Sequence, residues 1–151
     1  MERIGDKRVF SLRTVGQLQL QAFGDAVNKG WHDGVLSGLD HSNDVQGLIF
    51  FHIGDARTYA QRCEGLIPEK LCLIHSEVSE ALEEARKKDA DVRKNTYAED
   101  GKPEGLPSEL ADVAIRLFDL CGMLGIDLEA AIIEKMEYNK KRPHRHGGKN
   151  F

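Results

Sequence analysis

The sequence predicts an all-α helical bundle, and three observations predict it. Apolar residues recur at three- and four-residue steps through several segments, glycine and proline punctuate those segments, and no βαβ pattern interleaves them. No internal repeat or low-complexity tract complicates this pattern.

From Val15 to about Gly30, the residues Val15, Leu18, Ala22 and Ala26 fall near helical spacing, with Gly30 as a C-terminal stop. WHDGVLSGLDHSNDVQG follows and reads as a loop, because Gly, Asp, Ser and Asn favour turns. LIFFHIGDARTYAQRC has an apolar start and a helical second half, which a helix from about Asp44 to Cys63 accommodates. Pro68 fits the first turn of the next helix, where a missing N–H costs nothing, and EKLCLIHSEVSEALEEARKK then runs without Gly or Pro. Its Leu71, Ile74, Val78, Ala81, Leu82 and Ala85 form one stripe expected to face the core.

DADVRKNTYAEDGKPEGLP is polar and lacks an apolar period, so it reads as an exposed connection. Ser108 is placed to cap ELADVAIRLFDLCGML, whose Leu110, Val113, Ala114, Leu117, Leu120, Cys121 and Leu124 make a second stripe before Gly125. Asp127 is placed to cap a last helix, LEAAIIEKMEYNKK, and Pro143 forbids its continuation into the basic tail.

Composition narrows the function classes. A chain of 151 residues suits one compact domain. No apolar run is long enough to span a bilayer, and MERIGDKRVFSL carries charges where a secretory signal needs an apolar core, so a cytoplasmic protein is expected. Cys63, Cys72 and Cys121 are odd in number and lack CxxC spacing, which points to reduced thiols rather than a disulfide framework or a zinc site. The net charge of −4 argues against charge-driven binding to a nucleic-acid polymer.

The chemistry-bearing pattern is acidic. Glu77 and Glu80 lie three residues apart on one helix, Glu84 extends their face, and Glu109 and Asp112 repeat the spacing on another. Both pairs flank apolar stripes, so packing the stripes brings four carboxylates together. Such a group stays ionised at neutral pH only beside a compensating cation. All-oxygen ligands suit Mg²⁺, with Mn²⁺ as a substitute, and Mg²⁺ shares its shell with substrate phosphates. One isolated acidic pair is usually a solvated surface; two core-flanking pairs are a site candidate.

Glu77-Val78-Ser79-Glu80 and Glu109-Leu110-Ala111-Asp112 resemble the ExxE and ExxD signature of the MazG-like nucleoside triphosphate pyrophosphohydrolase superfamily. The resemblance extends through LIHSEVSEALEEAR, ELADVAIRLFDL and GIDLEAAIIEKMEYNKKRPHRHGGK, roughly half of the chain. It implies a single MazG-like domain over residues 1–151, a bundle of four to five helices with sites between helices, and a homodimer or homotetramer. It also implies a reaction, Mg²⁺-dependent cleavage of the α–β phosphate bond of a (d)NTP into (d)NMP and pyrophosphate. Two departures stand out. Ser76 occupies a position where many members carry a further glutamate, and about 34–65 reads as an insertion.

By the same resemblance Glu77, Glu80, Glu109 and Asp112 are the metal ligands and catalytic carboxylates. Lys135, Asn139 and Arg142, at i, i+4 and i+7 on one helix face, would meet the substrate. Arg116, four residues after Asp112, either salt-bridges the acidic group or contacts phosphate. Trp31, the sole tryptophan, stacks on the base or packs in the core, core packing being the commoner role. His75 is left out of the metal set, and His144, Arg145, His146 and Lys149 are a solvated tail or a lid over phosphates. Three other functions share these features: a dUTP- or dCTP-selective pyrophosphatase, a phosphoribosyl-ATP pyrophosphohydrolase, and a non-catalytic helical nucleotide sensor.

Overall fold

The computed structural model describes residues 14–33, 56–88 and 91–142, which form four helices and one small hairpin. They are α1 (Val15–Asn28), α2 (Ala56–Arg86), β1 (Thr96–Tyr97), β2 (Pro103–Glu104), α3 (Leu106–Leu124) and α4 (Leu128–Lys140). The all-α class is therefore correct. No helix among the described residues is long and apolar enough to cross a membrane.

Local chemistry accounts for most of the helix ends. At α1 a capping box closes the N-terminus: Thr14 Oγ1 accepts from Gln17 N–H at 3.2 Å, and Gln17 Oε1 accepts from Thr14 N–H at 3.0 Å. Its other end turns at Gly30, whose φ of +76° is open to glycine at little cost. α3 stops at Gly125 in the left-handed conformation, and Asp127 Oδ1 accepts from Ala130 N–H at 2.9 Å to start α4, both as the sequence predicts.

Two boundaries differ from expectation. Rather than a helix ending at Cys63 and another starting at Pro68, a single α2 of 31 residues runs through Pro68. The proline forfeits its bond to the Glu64 carbonyl, a local cost that the continuous packing of α2 on α3 outweighs. Residues 44–55 of the expected earlier helix lie outside the described residues, as do 34–55 of the expected insertion; 56–65 are the first turns of α2. Ser108 does not cap α3. The N-cap is Gly105, Pro107 occupies the first turn, and Ser108 Oγ donates to the Pro103 carbonyl at 3.1 Å.

The polar connection between α2 and α3 is exposed, yet it folds into a hairpin pairing Thr96 with Glu104 and Tyr97 with Pro103. Two-residue strands carry no usable hydrophobic alternation, which is why periodicity misses them. The reversal lays α3 antiparallel on α2. Cys63 Sγ donates to the Met123 carbonyl, Lys70 pairs with Asp119, and Glu77 pairs with Arg116, so the partners on α3 step backward as those on α2 advance.

α1 packs on α3 through Phe23, and a small core forms from Phe23, Cys63, Leu120 and Met123, with Val27, Leu66, Ile74 and Leu124 around it. α4 folds back toward α1: the Gln19 side chain donates to the Ile126 carbonyl at 2.7 Å and accepts from Leu128 N–H at 3.3 Å. Glu129 Oε2 accepts from Gly16 N–H at 2.8 Å, placing an anion at the positive end of α1. The stripe on α2 is only partly core. Ala81 is buried and Ile74 half-buried, whereas Leu71, Val78 and Leu82 stay exposed in the single chain.

Candidate metal centre

α2 and α3 lie antiparallel, so the last third of α2 meets the first half of α3. There Glu77, Glu109 and Asp112 each offer a carboxylate oxygen, all within 4.8 Å of one another, a grouping that could hold a metal ion. Glu77 is buried, only 7 % exposed. The Glu109 carboxyl is held above the ordinary carboxylate range, first by burial and then by the charges of Glu80, Asp112, Glu77 and Glu84. Three oxygen donors from two helices are the donor type of a hard divalent cation rather than of zinc.

The fourth expected ligand, Glu80, is outside this close trio. It stands exposed one turn beyond Glu77 and accepts a long 3.5 Å bond from Ser76 Oγ, while its charge is felt at Glu109. Ser76 thus touches the carboxylate set without adding a ligand oxygen to the trio. Glu84 takes a 2.6 Å bond from Lys87 Nζ. That bond, together with the charges of Glu84, Glu104 and Glu109, raises the Lys87 ammonium above its usual range despite some desolvation.

Arg116 adopts the first of its two expected roles, donating from Nε to Glu77 Oε1 at 2.5 Å. Trp31 is exposed at 58 %, with Lys29 Nζ 5.6 Å above its ring, so core packing is not its role. Lys135 and Asn139 are exposed on α4, whereas Arg142, expected at i+7 on the same helix face, is exposed just past the Lys141 C-cap, because the helix ends at Lys140. Lys135 Nζ lies 5.2 Å from the Tyr138 ring centre, and neither Lys135 nor Arg142 pairs with a carboxylate among the described residues. His75 is exposed and contributes only its carbonyl, which accepts from Ser79 Oγ at 3.0 Å. Residues 144, 145, 146 and 149 lie outside the described residues.

A second polar group, unforeseen from the sequence, adjoins the trio along α2 and α3. Asp119, buried in the middle of the α3 stripe, accepts from His32 Nε2 at 2.6 Å and from Lys70 Nζ at 2.7 Å. Burial alone would push its carboxyl up, yet these two bonds together bring it below the usual range. His32 is 1 % exposed and sits edge-on to Phe23, with its Nδ1 buried and unpartnered among the described residues. Heptad spacing was the available signal: Lys70 precedes Glu77 by seven residues and Asp119 follows Asp112 by seven, so each pair shares a helix face. Cys63 and Cys121 are buried and Cys72 is exposed; burial pushes the Cys121 thiol up.

No family model, curated protein or solved structure matches this chain.

Proposed function

We propose that the chain is a Mg²⁺-dependent nucleoside triphosphate pyrophosphohydrolase that cleaves the α–β bond of a (d)NTP to give (d)NMP and pyrophosphate. The observation that carries this reading is the convergence of Glu77, Glu109 and Asp112 from two helices. Their spacing is that of the ExxE and ExxD motifs on which the resemblance rests, and the choice of bond and substrate class comes from that resemblance.

In this reading Glu77, Glu109 and Asp112 hold the divalent cation, with Glu80 at the exposed rim. When bound, Mg²⁺ would lower the pKa of a coordinated water, orient the phosphates and offset charge in an in-line displacement. Glu80, exposed beside the trio, would either join the metal's shell or accept a proton. Arg116 supplies a fork of donors suited to phosphate oxygens. Trp31 presents an accessible indole face for a base. Lys135 and Asn139 on α4, with Arg142 just past its end, offer two cations and an amide for the substrate. The exposed apolar residues of α2, α3 and α4 suit assembly into a homodimer or homotetramer.

The purified protein, incubated with Mg²⁺ and a panel of canonical and damaged nucleoside triphosphates, is expected to release monophosphate and pyrophosphate. Glu77→Gln and Asp112→Asn variants that keep their helical circular dichroism should lose about a hundredfold or more in rate. Diphosphate and orthophosphate as products would refute the proposed bond. Nucleotide binding without turnover in the wild type would favour a sensor.

A further inference from the structure

Among the described residues Arg116 is the only cation paired with a member of the carboxylate trio. Its partner, Glu77, is the most buried of the three, and a buried carboxylate beside two others is costly unless a positive charge adjoins it. The guanidinium spends its Nε–H on Glu77, leaving its other N–H groups available, and about a third of the side chain remains open to solvent. Lys70, one rung along the same interface, is differently placed: only 14 % exposed, it serves an Asp119 that His32 also holds. Of these two cations, Arg116 is the one with room to leave. Asp112 and Arg116 are four residues apart on α3, so the arginine stands on the same face as two of the oxygens a metal would need.

We propose that Arg116 is an exchangeable counter-ion, neutralising Glu77 while the site is metal-free and yielding that carboxylate to a divalent cation, which frees its guanidinium for the substrate's phosphates. The proposal rests on the metal reading given above. Arg116 and a divalent cation draw on the same carboxylate, so each weakens the other's hold on it. A triphosphate that engages the released arginine reverses this sign, and metal and nucleotide then support each other's binding. Arg116 thereby keeps the nucleotide-free site from taking up metal as tightly as its carboxylates alone would.

Titration calorimetry with Mn²⁺ alone, in the absence of nucleotide, tests the exchange. Arg116→Gln is expected to bind Mn²⁺ about fivefold more tightly than the wild type, and Arg116→Lys to fall between them. Equal or weaker Mn²⁺ binding by Arg116→Gln makes Arg116 a positioning residue for Glu77 and overturns the exchange, while leaving the metal centre standing. No Mn²⁺ binding by either protein overturns both. A second measurement needs no variant: the Arg116 Nε–H resonance of the wild-type protein, followed during a Mg²⁺ titration, should lose its hydrogen-bonded shift. A resonance unmoved at saturation overturns the proposal.

Discussion

Among the described residues Asp119 is the buried acid outside the trio. It is 4 % exposed and joins three helical regions, accepting from His32 beyond the end of α1 and from Lys70 on α2. Asp119→Asn is expected to cost about 2–3 kcal/mol, because it leaves the Lys70 ammonium without its counter-charge. The pH dependence follows from the direction of the shift. A carboxyl held below its unfolded value stabilises the fold above that value, about 3.9, and loses this contribution as the pH falls toward the depressed folded value. Urea unfolding of both proteins should therefore show a stability gap at pH 7 that narrows below about pH 4. A gap unchanged at low pH would mean that packing, not charge, holds Asp119. The sequence shows an aspartate inside an apolar stripe, but which side chains answer it depends on the register of three helices.

Helix contacts are decided by small residues as much as by large ones. An added Cβ at Gly122 would lie 2.5 Å from Phe23 Cβ and 2.7 Å from its Cγ, atoms close to the backbone that cannot swing aside. Gly122→Ala should therefore separate α1 from α3 and cost about 1–3 kcal/mol, measured as a lower midpoint in chemical denaturation. An unchanged midpoint would show that the two helices slide apart freely. The helices themselves were legible wherever the apolar period was long: α1, α3 and α4 lie close to their expected spans. Pro68 misleads because proline at a helix start and proline inside a helix look alike until the preceding turn is known to be helical. Gly105 and Ser108 mislead similarly, since an eligible capping side chain three residues downstream gives no sign that the helix has already begun.

Across the whole molecule, the four helices do not bury the apolar surface they carry. Leu71, Val78 and Leu82 on α2, Leu110 on α3, and Ile133 and Met136 on α4 are each about half exposed, and α4 has no buried residue at all. Assembly with further copies, part of the proposed function, gives those side chains a place out of water. Light scattering should return the mass of a dimer or tetramer, and Leu82→Glu should lower the mass with helicity retained. A monomeric wild type at micromolar concentration would refute the assembly. The interface between α2 and α3 presents the opposite case, a line of polar pairs: Lys70 with Asp119, and Arg116 with Glu77. Such pairs contribute little net stability but penalise a slipped register, because each slip strands a charge.

The helical class, the stop of α3 at Gly125, the Asp127 cap of α4 and the two acidic pairs were readable in the sequence, because these depend on spacing of three to four residues within one helix. The sequence also nominated Arg116 and left two roles open for it. Tertiary structure alone decided the rest. It drew Glu77, Glu109 and Asp112 within 4.8 Å and left Glu80 at the rim, gave Arg116 to Glu77, and exposed Trp31. It also built the His32–Asp119–Lys70 group from segments 38 to 87 residues apart. The physical reason is one of range. Helical periodicity is written in neighbouring residues, whereas the partner of a buried charge depends on how far one helix slides along another, and nothing local in the chain sets that distance.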